Sequence, residues 1–337
     1  MRLVFCGTPQ FAVPTLEALL NAGHEVSLVV SQPDRRVGRD QQLTAPPVKQ
    51  AALAASLAVT QPEKIRSNAE FRAQLEAIAP DAIIVVAYGR IIPPWMLALP
   101  RLGCINLHAS LLPKYRGAAP IQWAVARGEE ITGNTTMLLE EGLDTGPILL
   151  QQAFAIAPEM TAVELFEELA LAGAPLLLQT LDGLDDGSIK PTPQNHARAT
   201  LAPILTREDG RMDFAAHTAA ELKNRWRGFQ PWPGAFTALG GKKLIVHRME
   251  AREQGSGNRE QGSGNRDQGS ETAILSLPAH AEPGRIHIEA HRLFVACAQN
   301  SWLELIEVQL EGKKRIATSD FLRGNALADG ALLGAAE

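Results

Sequence analysis

Residues 103–120 read Gly103-Cys-Ile-Asn-Leu-His-Ala-Ser-Leu-Leu-Pro-Lys-Tyr-Arg-Gly-Ala-Ala-Pro120. The apolar run at the start of this stretch predicts a strand over residues 103–107, so Asn106 and His108 stand two positions apart at a strand end. Side chains alternate along a strand, and positions i and i+2 therefore share one face. Open α/β sheets bind their ligands at the carboxyl ends of strands. An amide and an imidazole are therefore expected to project together into a ligand crevice.

A carboxylate further along the chain completes a candidate catalytic trio. Asp144 lies in Glu140-Glu-Gly-Leu-Asp-Thr-Gly146, where the flanking glycines permit a tight turn that aims it at the imidazole. Such a trio suits acyl or formyl transfer. Asn106 would donate a hydrogen bond to the oxygen of the transferred group as that oxygen gains negative charge, His108 would accept or donate a proton, and Asp144 would orient His108. Two alternatives stay open from the residues alone. His108 could act protonated as a second oxyanion donor, and Asp144 could stabilise its own loop as an Asx turn.

These motifs resemble the signature of the 10-formyltetrahydrofolate-dependent formyltransferases, whose catalytic residues are Asn, His and Asp at the positions of Asn106, His108 and Asp144. The resemblance runs from Arg2 to Arg323, interrupted by one insertion. It is strongest to the branch whose acceptor is methionyl initiator tRNA. The further motifs that carry it are Val4-Phe-Cys-Gly-Thr-Pro-Gln-Phe-Ala12, Ser31-Gln-Pro-Asp-Arg35, Ala45-Pro-Pro-Val-Lys49, Val86-Ala-Tyr-Gly89 and Phe229-Gln-Pro-Trp-Pro-Gly234.

The resemblance implies transfer of the formyl group of 10-formyltetrahydrofolate to the α-amino group of methionine esterified to initiator tRNA, with no metal. It places the folate, as donor co-substrate, against Tyr88, Gly89, Arg90, Ile91, Ile92, Ser110, Leu111, Leu112, Pro113 and Glu141. The candidate tRNA contacts are Arg35, Arg36, Arg39, Lys114, Arg116, Lys242, Lys243, Lys313 and Lys314. Lys114 and Arg116 could equally neutralise the folate glutamate. Gln41 and Gln42 stand where the family often has lysines.

Other functions compete with this interpretation. The same chemistry could serve a small amine, either a sugar nucleotide or glycinamide ribonucleotide, or the hydrolysis of formyl-folate. An RNA-binding protein without catalysis is a further possibility, although the trio is intact. A nicotinamide oxidoreductase is disfavoured because Gly7-Thr-Pro9 lacks the second and third glycines of a dinucleotide-binding fingerprint.

Composition limits the class of protein. A chain of 337 residues favours two domains, and 45% hydrophobic with 20% charged residues is typical of a globular protein. Three widely spaced cysteines argue for a reducing compartment rather than a disulfide framework. We find no apolar run long enough for a signal peptide or a membrane span. A monomer in the cytoplasm is expected.

The pattern of elements predicts a doubly wound, Rossmann-like α/β domain over residues 1–184. We predict parallel strands over residues 3–5, 26–30, 58–61, 82–86, 103–107, 135–139 and 148–154, and helices over 15–21, 47–55, 68–79, 121–126 and 161–181, the last capped by Thr161. Residues 185–206 are expected to be a linker. Residues 207–330 are expected to form an OB-like, tRNA-binding β-barrel. Its predicted strands cover 235–239, 243–248, 274–277, 285–289, 293–298 and 302–310.

A repeated heptapeptide interrupts the second domain. Glu253-Gln-Gly-Ser-Gly-Asn-Arg259 recurs at residues 260–266 and begins a third time, without an apolar position in the repeat. This composition predicts a flexible, dispensable insertion over residues 252–271 rather than a coiled coil.

Overall fold

The structure is a computed structural model that describes residues 1–38, 40–252, 277–325 and 327–334. The chain forms two compact units, one of residues 1–125 with 129–204 and the other of residues 126–128 with the chain from Leu205 onward. Arg39, residues 253–271 of the predicted insertion and residues 274–276 of a predicted strand lie outside the described residues.

A seven-stranded sheet forms the centre of the first unit. Its strands are β1 (Arg2–Gly7), β2 (Glu25–Val30), β5 (Val59–Thr60), β6 (Ala82–Val86), β7 (Cys104–His108), β8 (Ile131–Leu138) and β9 (Ile148–Ala155), and β3 (Arg35–Val37) pairs with β4 (Gln42–Thr44) in a separate hairpin. The strand order is β5-β2-β1-β6-β7-β8-β9. β6 and β7 are buried along their whole length, as expected for strands covered on both faces.

The α/β prediction is confirmed, but the sheet is mixed rather than parallel throughout. The strands from β5 to β7 run parallel. β8 is antiparallel to β7, and β9 is antiparallel to β8. Only residues 139–147 connect β8 to β9, and a connection without a crossover helix leads to antiparallel pairing.

Six helices accompany this sheet, namely α1 (Val13–Asn21), α2 (Pro47–Ala54), α3 (Ala69–Ile78), α4 (Pro94–Leu97), α5 (Pro120–Ala126) and α6 (Ala162–Asp185). α6 begins with the predicted cap, because the Thr161 hydroxyl accepts from the backbone of Glu164 and the Glu164 carboxylate accepts from Thr161. It ends at Asp185, four residues beyond the predicted helix, since its buried face continues through Thr180, Leu181 and Gly183.

The segment after α6 is bonded to the first unit along much of its length. Thr192 and Ile148 exchange two backbone hydrogen bonds, and Arg116 pairs with Leu201 in a parallel bridge. The indole N–H of Trp123 donates to the carbonyl oxygen of Pro203. Residues 192–203, which fall in the stretch predicted to be a linker, therefore form a strap on the first unit.

The second unit contains an antiparallel sheet, in the part of the chain for which an OB-like β-barrel is predicted. Its elements are α7 (Ala219–Gly228), β10 (Ala235–Leu239), β11 (Lys242–Arg252), β12 (Ile286–Glu289), β13 (Arg292–Ala296), β14 (Trp302–Leu310), β15 (Ile316–Ala317) and α8 (Thr318–Gly324). The strand order is β10-β11-β14-β13-β12, with β15 paired to β14. Leu244, Leu303 and Leu305 lie in its core. Among the described residues, we find no helix with the length and apolar character needed to span a bilayer.

Candidate active site

Two polar side chains enter a cavity from the end of β7. Asn106 and His108 are 8% and 6% exposed, and both line a cavity of about 640 Å³ in the first unit. They share one face of the strand because they are two residues apart. Val85 and Met137 flank Asn106 on the neighbouring strands, which holds this end of β7 inside the sheet. The amide and the imidazole therefore reach the cavity from a rigid support.

The hydrogen bond to Tyr115 fixes the orientation of the His108 ring. His108 Nε2 lies 2.9 Å from the carbonyl oxygen of Tyr115. A carbonyl oxygen can only accept, so Nε2 carries the proton and donates it. Nδ1 therefore holds the lone pair of the neutral ring, and it lies 3.7 Å from Oδ2 of Asp144. A carboxylate at this position is able to stabilise the positive charge of an imidazole that has taken a proton at Nδ1.

Asp144 is held in a turn of unusual backbone geometry. Its φ angle is 49°, in the left-handed region that non-glycine residues rarely occupy. Its Oδ2 accepts a hydrogen bond of 2.8 Å from the backbone N–H of Gly117. Gly146 closes the turn so tightly that a Cβ there would lie 1.9 Å from the carbonyl oxygen of Leu138. The loop thus brings Asp144 to the imidazole, as the flanking glycines predicted.

Gln32 supports the part of the cavity lining formed by Tyr88 and Gly89. The side-chain N–H of Gln32 donates to the carbonyl oxygens of Tyr88 and Gly89, at 3.2 and 3.3 Å. Arg90 Nε in turn donates to the Gln32 side-chain oxygen at 3.1 Å. The Thr8 hydroxyl also donates to Tyr88. The predicted folate contacts that line the cavity are Tyr88, Gly89, Arg90, Ile91, Ile92 and Glu141.

The other predicted folate contacts, Ser110, Leu111, Leu112 and Pro113, do not line this cavity. The Ser110 hydroxyl donates to the Lys114 carbonyl oxygen, and the Leu112 N–H donates to the Thr135 hydroxyl on β8. Gln151 on β9 donates to the Leu112 carbonyl oxygen. This turn is tied to the antiparallel strands, a placement that the sequence motif could not indicate.

Basic residues predicted to contact tRNA lie in both units. Arg35 and Arg36 are exposed on the β3–β4 hairpin, whereas Arg39 lies outside the described residues. Lys242, Lys313 and Lys314 are exposed in the second unit. The Lys243 ammonium lies 3.7 Å from the centre of the Phe236 ring, and partial burial, together with Arg207, lowers the pKa of Lys243.

The two basic residues beside the catalytic block have protein partners. Lys114 forms an ion pair with Glu129. Arg116 is only 7% exposed, and its guanidinium donates to the Gln194 side-chain oxygen at 2.6 and 3.1 Å. Its Nη2 also lies 3.1 Å from Nδ1 of His196. The strap therefore covers the Arg116 side chain, and its contact with tRNA or the folate glutamate stays a prediction.

Sequence reasoning missed several residues that build the site. Tyr115 and Gly117 lie inside the motif of residues 103–120. The motif therefore contains the two residues whose backbone groups bond to His108 and Asp144. Gln32 lies inside the motif of residues 31–35 and Gln194 is an isolated glutamine, but no local pattern signals that either side chain reaches backbone carbonyl oxygens far away in sequence. In the described part of the chain, no group of three or more His, Cys, Asp or Glu side chains could hold a metal ion.

Comparison with known proteins agrees with this geometry. A family model described as formyl transferase matches residues 1–181, and one described as formyl transferase, C-terminal domain, matches residues 204–326. A methionyl-tRNA formyltransferase of Acidobacterium capsulatum is 64% identical over 335 residues, which are 99% of this chain and 100% of the relative. The chain belongs to the methionyl-tRNA formyltransferase family. Another member, from Koribacter versatilis, is 56% identical over 96% of each chain.

Solved structures share the fold at lower sequence identity. A sugar 3N-formyltransferase, WlaRD, solved in the presence of dTDP and 5-N-formyl-THF, has a TM-score of 0.60 at 15% identity and covers 93% of this chain and 99% of its own. HypX from Aquifex aeolicus, in complex with tetrahydrofolic acid, has a TM-score of 0.56 at 16% identity over 96% of this chain and 47% of its own. At this identity the likeness concerns the fold alone.

Proposed function

We propose that the protein transfers the formyl group of 10-formyltetrahydrofolate to the α-amino group of methionyl initiator tRNA, giving N-formylmethionyl-tRNA for translation initiation. The observation that carries this proposal is the convergence of Asn106, His108 and Asp144 on one cavity. The choice of acceptor rests on full-length relatives that bear the name methionyl-tRNA formyltransferase.

Each member of the trio has one task in the reaction. A bond forms between the amine nitrogen and the formyl carbon, and the bond from that carbon to N10 of the folate breaks. Asn106 donates an amide N–H to the formyl oxygen as that oxygen gains negative charge. His108 accepts at Nδ1 the proton that the amine must lose, and returns it to N10. Asp144 stabilises His108 while it is protonated.

The acceptor needs no strongly basic group in the site. Esterification of methionine withdraws electron density from its α-amino group, so a larger share of the amine is unprotonated near neutral pH than in free methionine. A histidine suits proton transfer near neutral pH because the ordinary pKa of its imidazole lies close to neutrality. The chemistry therefore matches the imidazole that the cavity presents.

The cavity suits a folate in volume and in lining. Its volume of about 640 Å³ falls within the range of small-molecule sites. Residues 88–92 line the cavity, and their backbone groups that are not bonded to Gln32 or Thr8 would bind the edge of a pterin. We assign the folate to Tyr88, Gly89, Arg90, Ile91, Ile92 and Glu141, and give Ser110, Leu111, Leu112 and Pro113 a supporting role.

We assign tRNA contacts to Arg35 and Arg36, which are exposed on the β3–β4 hairpin. The other proposed contacts, which would bind phosphate groups, are Arg39, Lys114, Lys242, Lys243, Lys313 and Lys314.

We further propose that the enzyme is a monomer and is located in the cytoplasm. Size-exclusion chromatography with light scattering would test the oligomeric state. A dimer in that measurement would contradict the monomer.

The decisive experiment compares acceptors under identical conditions. Formyl transfer from 10-formyltetrahydrofolate is measured with methionyl initiator tRNA, free methionine, a sugar-nucleotide amine and glycinamide ribonucleotide. Transfer to the charged tRNA alone supports the proposal. Transfer to a small amine would keep the chemistry and overturn the acceptor, whereas salt-dependent tRNA binding without any transfer would identify a binding protein.

A further inference from the structure

Gln194 is a buried residue in an otherwise exposed stretch of the strap. It is 6% exposed, whereas residues 191–193 and 195–198 are exposed. Its side-chain N–H group donates to the carbonyl oxygens of Asp144 and Gly146, at 2.8 and 2.7 Å. One amide therefore holds both sides of the turn that carries the catalytic carboxylate.

The turn requires such support. Asp144 occupies the left-handed region at a φ of 49°, and non-glycine residues stay there only when their surroundings hold them. Its carboxylate also lies beyond hydrogen-bond distance of His108, at 3.7 Å. Small rotations of the Asp144 backbone therefore move the carboxylate directly relative to Nδ1.

Arg116 determines which way the Gln194 amide faces. Both Nε and Nη2 of Arg116 lie within hydrogen-bond distance of the Gln194 oxygen. Arginine can only donate, so the oxygen must face Arg116 and the NH₂ group must face the two carbonyl oxygens. The guanidinium thus fixes the amide in the orientation that holds the Asp144 turn.

The same strap also supports the residue that orients His108. The backbone N–H of Tyr115 donates to the Thr200 hydroxyl at 2.9 Å, and Tyr115 itself has a φ of 61°. The carbonyl oxygen of Tyr115 is the acceptor for His108 Nε2. The strap is therefore bonded to the supports of two members of the trio.

We propose that residues 192–203 are a positioning strap for the catalytic trio, and that Gln194 is a positioning residue that acts through the Asp144 turn. The proposal rests on the proposed formyl transfer. A displacement of about 1 Å at a reacting group can cost on the order of a hundredfold in rate. Loss of the two Gln194 bonds is therefore expected to slow the chemical step and to leave the affinities for folate and tRNA nearly unchanged.

The test is a double-mutant cycle between Gln194→Leu and Asp144→Asn, measured as single-turnover formyl transfer to methionyl initiator tRNA. We expect Gln194→Leu to lower the rate by at least about tenfold with a change in KM below about threefold. Because Gln194 acts through Asp144, Gln194→Leu is expected to cause little further loss in the Asp144→Asn background.

Asn134→Leu is the matched control. Asn134 on β8 is also a buried amide, 1% exposed, and its side-chain N–H donates to the backbone carbonyl oxygen of Leu169 at 2.8 Å, but it does not line the cavity. This variant is expected to retain the wild-type rate. If Gln194→Leu does not fold, Gln194→Glu preserves the size of the side chain and replaces the donor with an acceptor, so the same loss of rate is expected.

The outcomes separate the two proposals. An inactive wild-type protein would overturn the proposed function. An active wild type with an unimpaired Gln194 variant, additive losses in the cycle, or an equal loss in Asn134→Leu would overturn the positioning role alone.

Discussion

His108 and Tyr115 are joined by a hydrogen bond of 2.9 Å from the imidazole Nε2 to the backbone carbonyl oxygen. This bond decides the chemistry of the ring, because it leaves Nδ1 as the nitrogen that faces Asp144. A histidine with one nitrogen committed to the backbone has a defined tautomer and orientation before substrate arrives. The imidazole thus presents Nδ1 as its proton acceptor in the cavity.

Asp144→Asn tests the role of the carboxylate. The amide preserves the size of the side chain but removes the negative charge opposite Nδ1, so we expect a loss in rate of about 10²–10⁴-fold with a native circular dichroism spectrum. Asp186→Asn, which changes an exposed carboxylate after α6, serves as the control. Near-native turnover of the Asp144 variant would remove Asp144 from the trio.

Arg35→Ala and Arg36→Ala test the exposed hairpin. If these cations contact phosphate groups, each variant raises the KM for charged tRNA, leaves the KM for 10-formyltetrahydrofolate unchanged, and reduces the salt dependence of tRNA binding by about one counterion. Kinetics at several salt concentrations measure both effects. An unchanged tRNA KM in both variants would place the tRNA contacts elsewhere.

Glu304 links the stability of the second unit to pH. Burial opposes its ionisation, but hydrogen bonds from Arg292 and Arg252 outweigh burial and lower the pKa of Glu304. A lowered pKa in the folded state stabilises the protein above the ordinary glutamate pKa of about 4.3, and this contribution is lost as the pH falls through the folded pKa.

We therefore expect Glu304→Gln to unfold at lower denaturant concentration than wild type at pH 7, with the gap narrowing below about pH 4. Urea unfolding monitored at several pH values measures this difference in denaturant midpoint between the variant and wild type. Glu282→Gln, in an exposed ion pair with Arg285, is the control and should change stability by less than about 1 kcal/mol. A gap that stays constant with pH would contradict the assignment.

The three cysteines are expected to be unreactive in the native protein. Cys6, Cys104 and Cys297 are buried, and burial raises the pKa of the Cys104 and Cys297 thiols to about 12 and that of Cys6 well above its ordinary value. Only the thiolate reacts readily with thiol reagents. Labelling with a chromogenic disulfide at pH 8 should be negligible until denaturant is added. Rapid native labelling would show that one of these thiols is accessible.

The sequence predicted the elements whose signals are local. β6 was predicted at its observed bounds because a continuous apolar run marks a strand buried on both faces, and the Thr161 cap marked the start of α6. The β3–β4 hairpin was missed because Arg35, Arg36 and residues 42–44 are exposed and most of them are polar. The direction of β8 depends on pairing with β7, which no local pattern encodes.

The residues of the candidate site likewise include some that local sequence patterns predict and others whose contacts arise only in the folded chain. The meeting of Asn106, His108 and Asp144 at one cavity could be predicted, because strand alternation and flanking glycines describe their local geometry directly. Gln194 was missed because its function arises only when the strap folds back on a turn 50 residues earlier in the chain. The same contact buries Arg116, which from its charge alone resembled a ligand for phosphate.

The most direct test of the catalytic account is single-turnover formyl transfer by wild type and His108→Ala, with methionyl initiator tRNA and saturating 10-formyltetrahydrofolate. We expect efficient transfer by wild type. We expect the rate of transfer by the variant to be lower by at least about a hundredfold, while its tRNA binding is retained. A variant that transfers the formyl group at the wild-type rate would show that His108 does not carry the proton from the amine to N10, and would contradict the proposed catalytic role of His108.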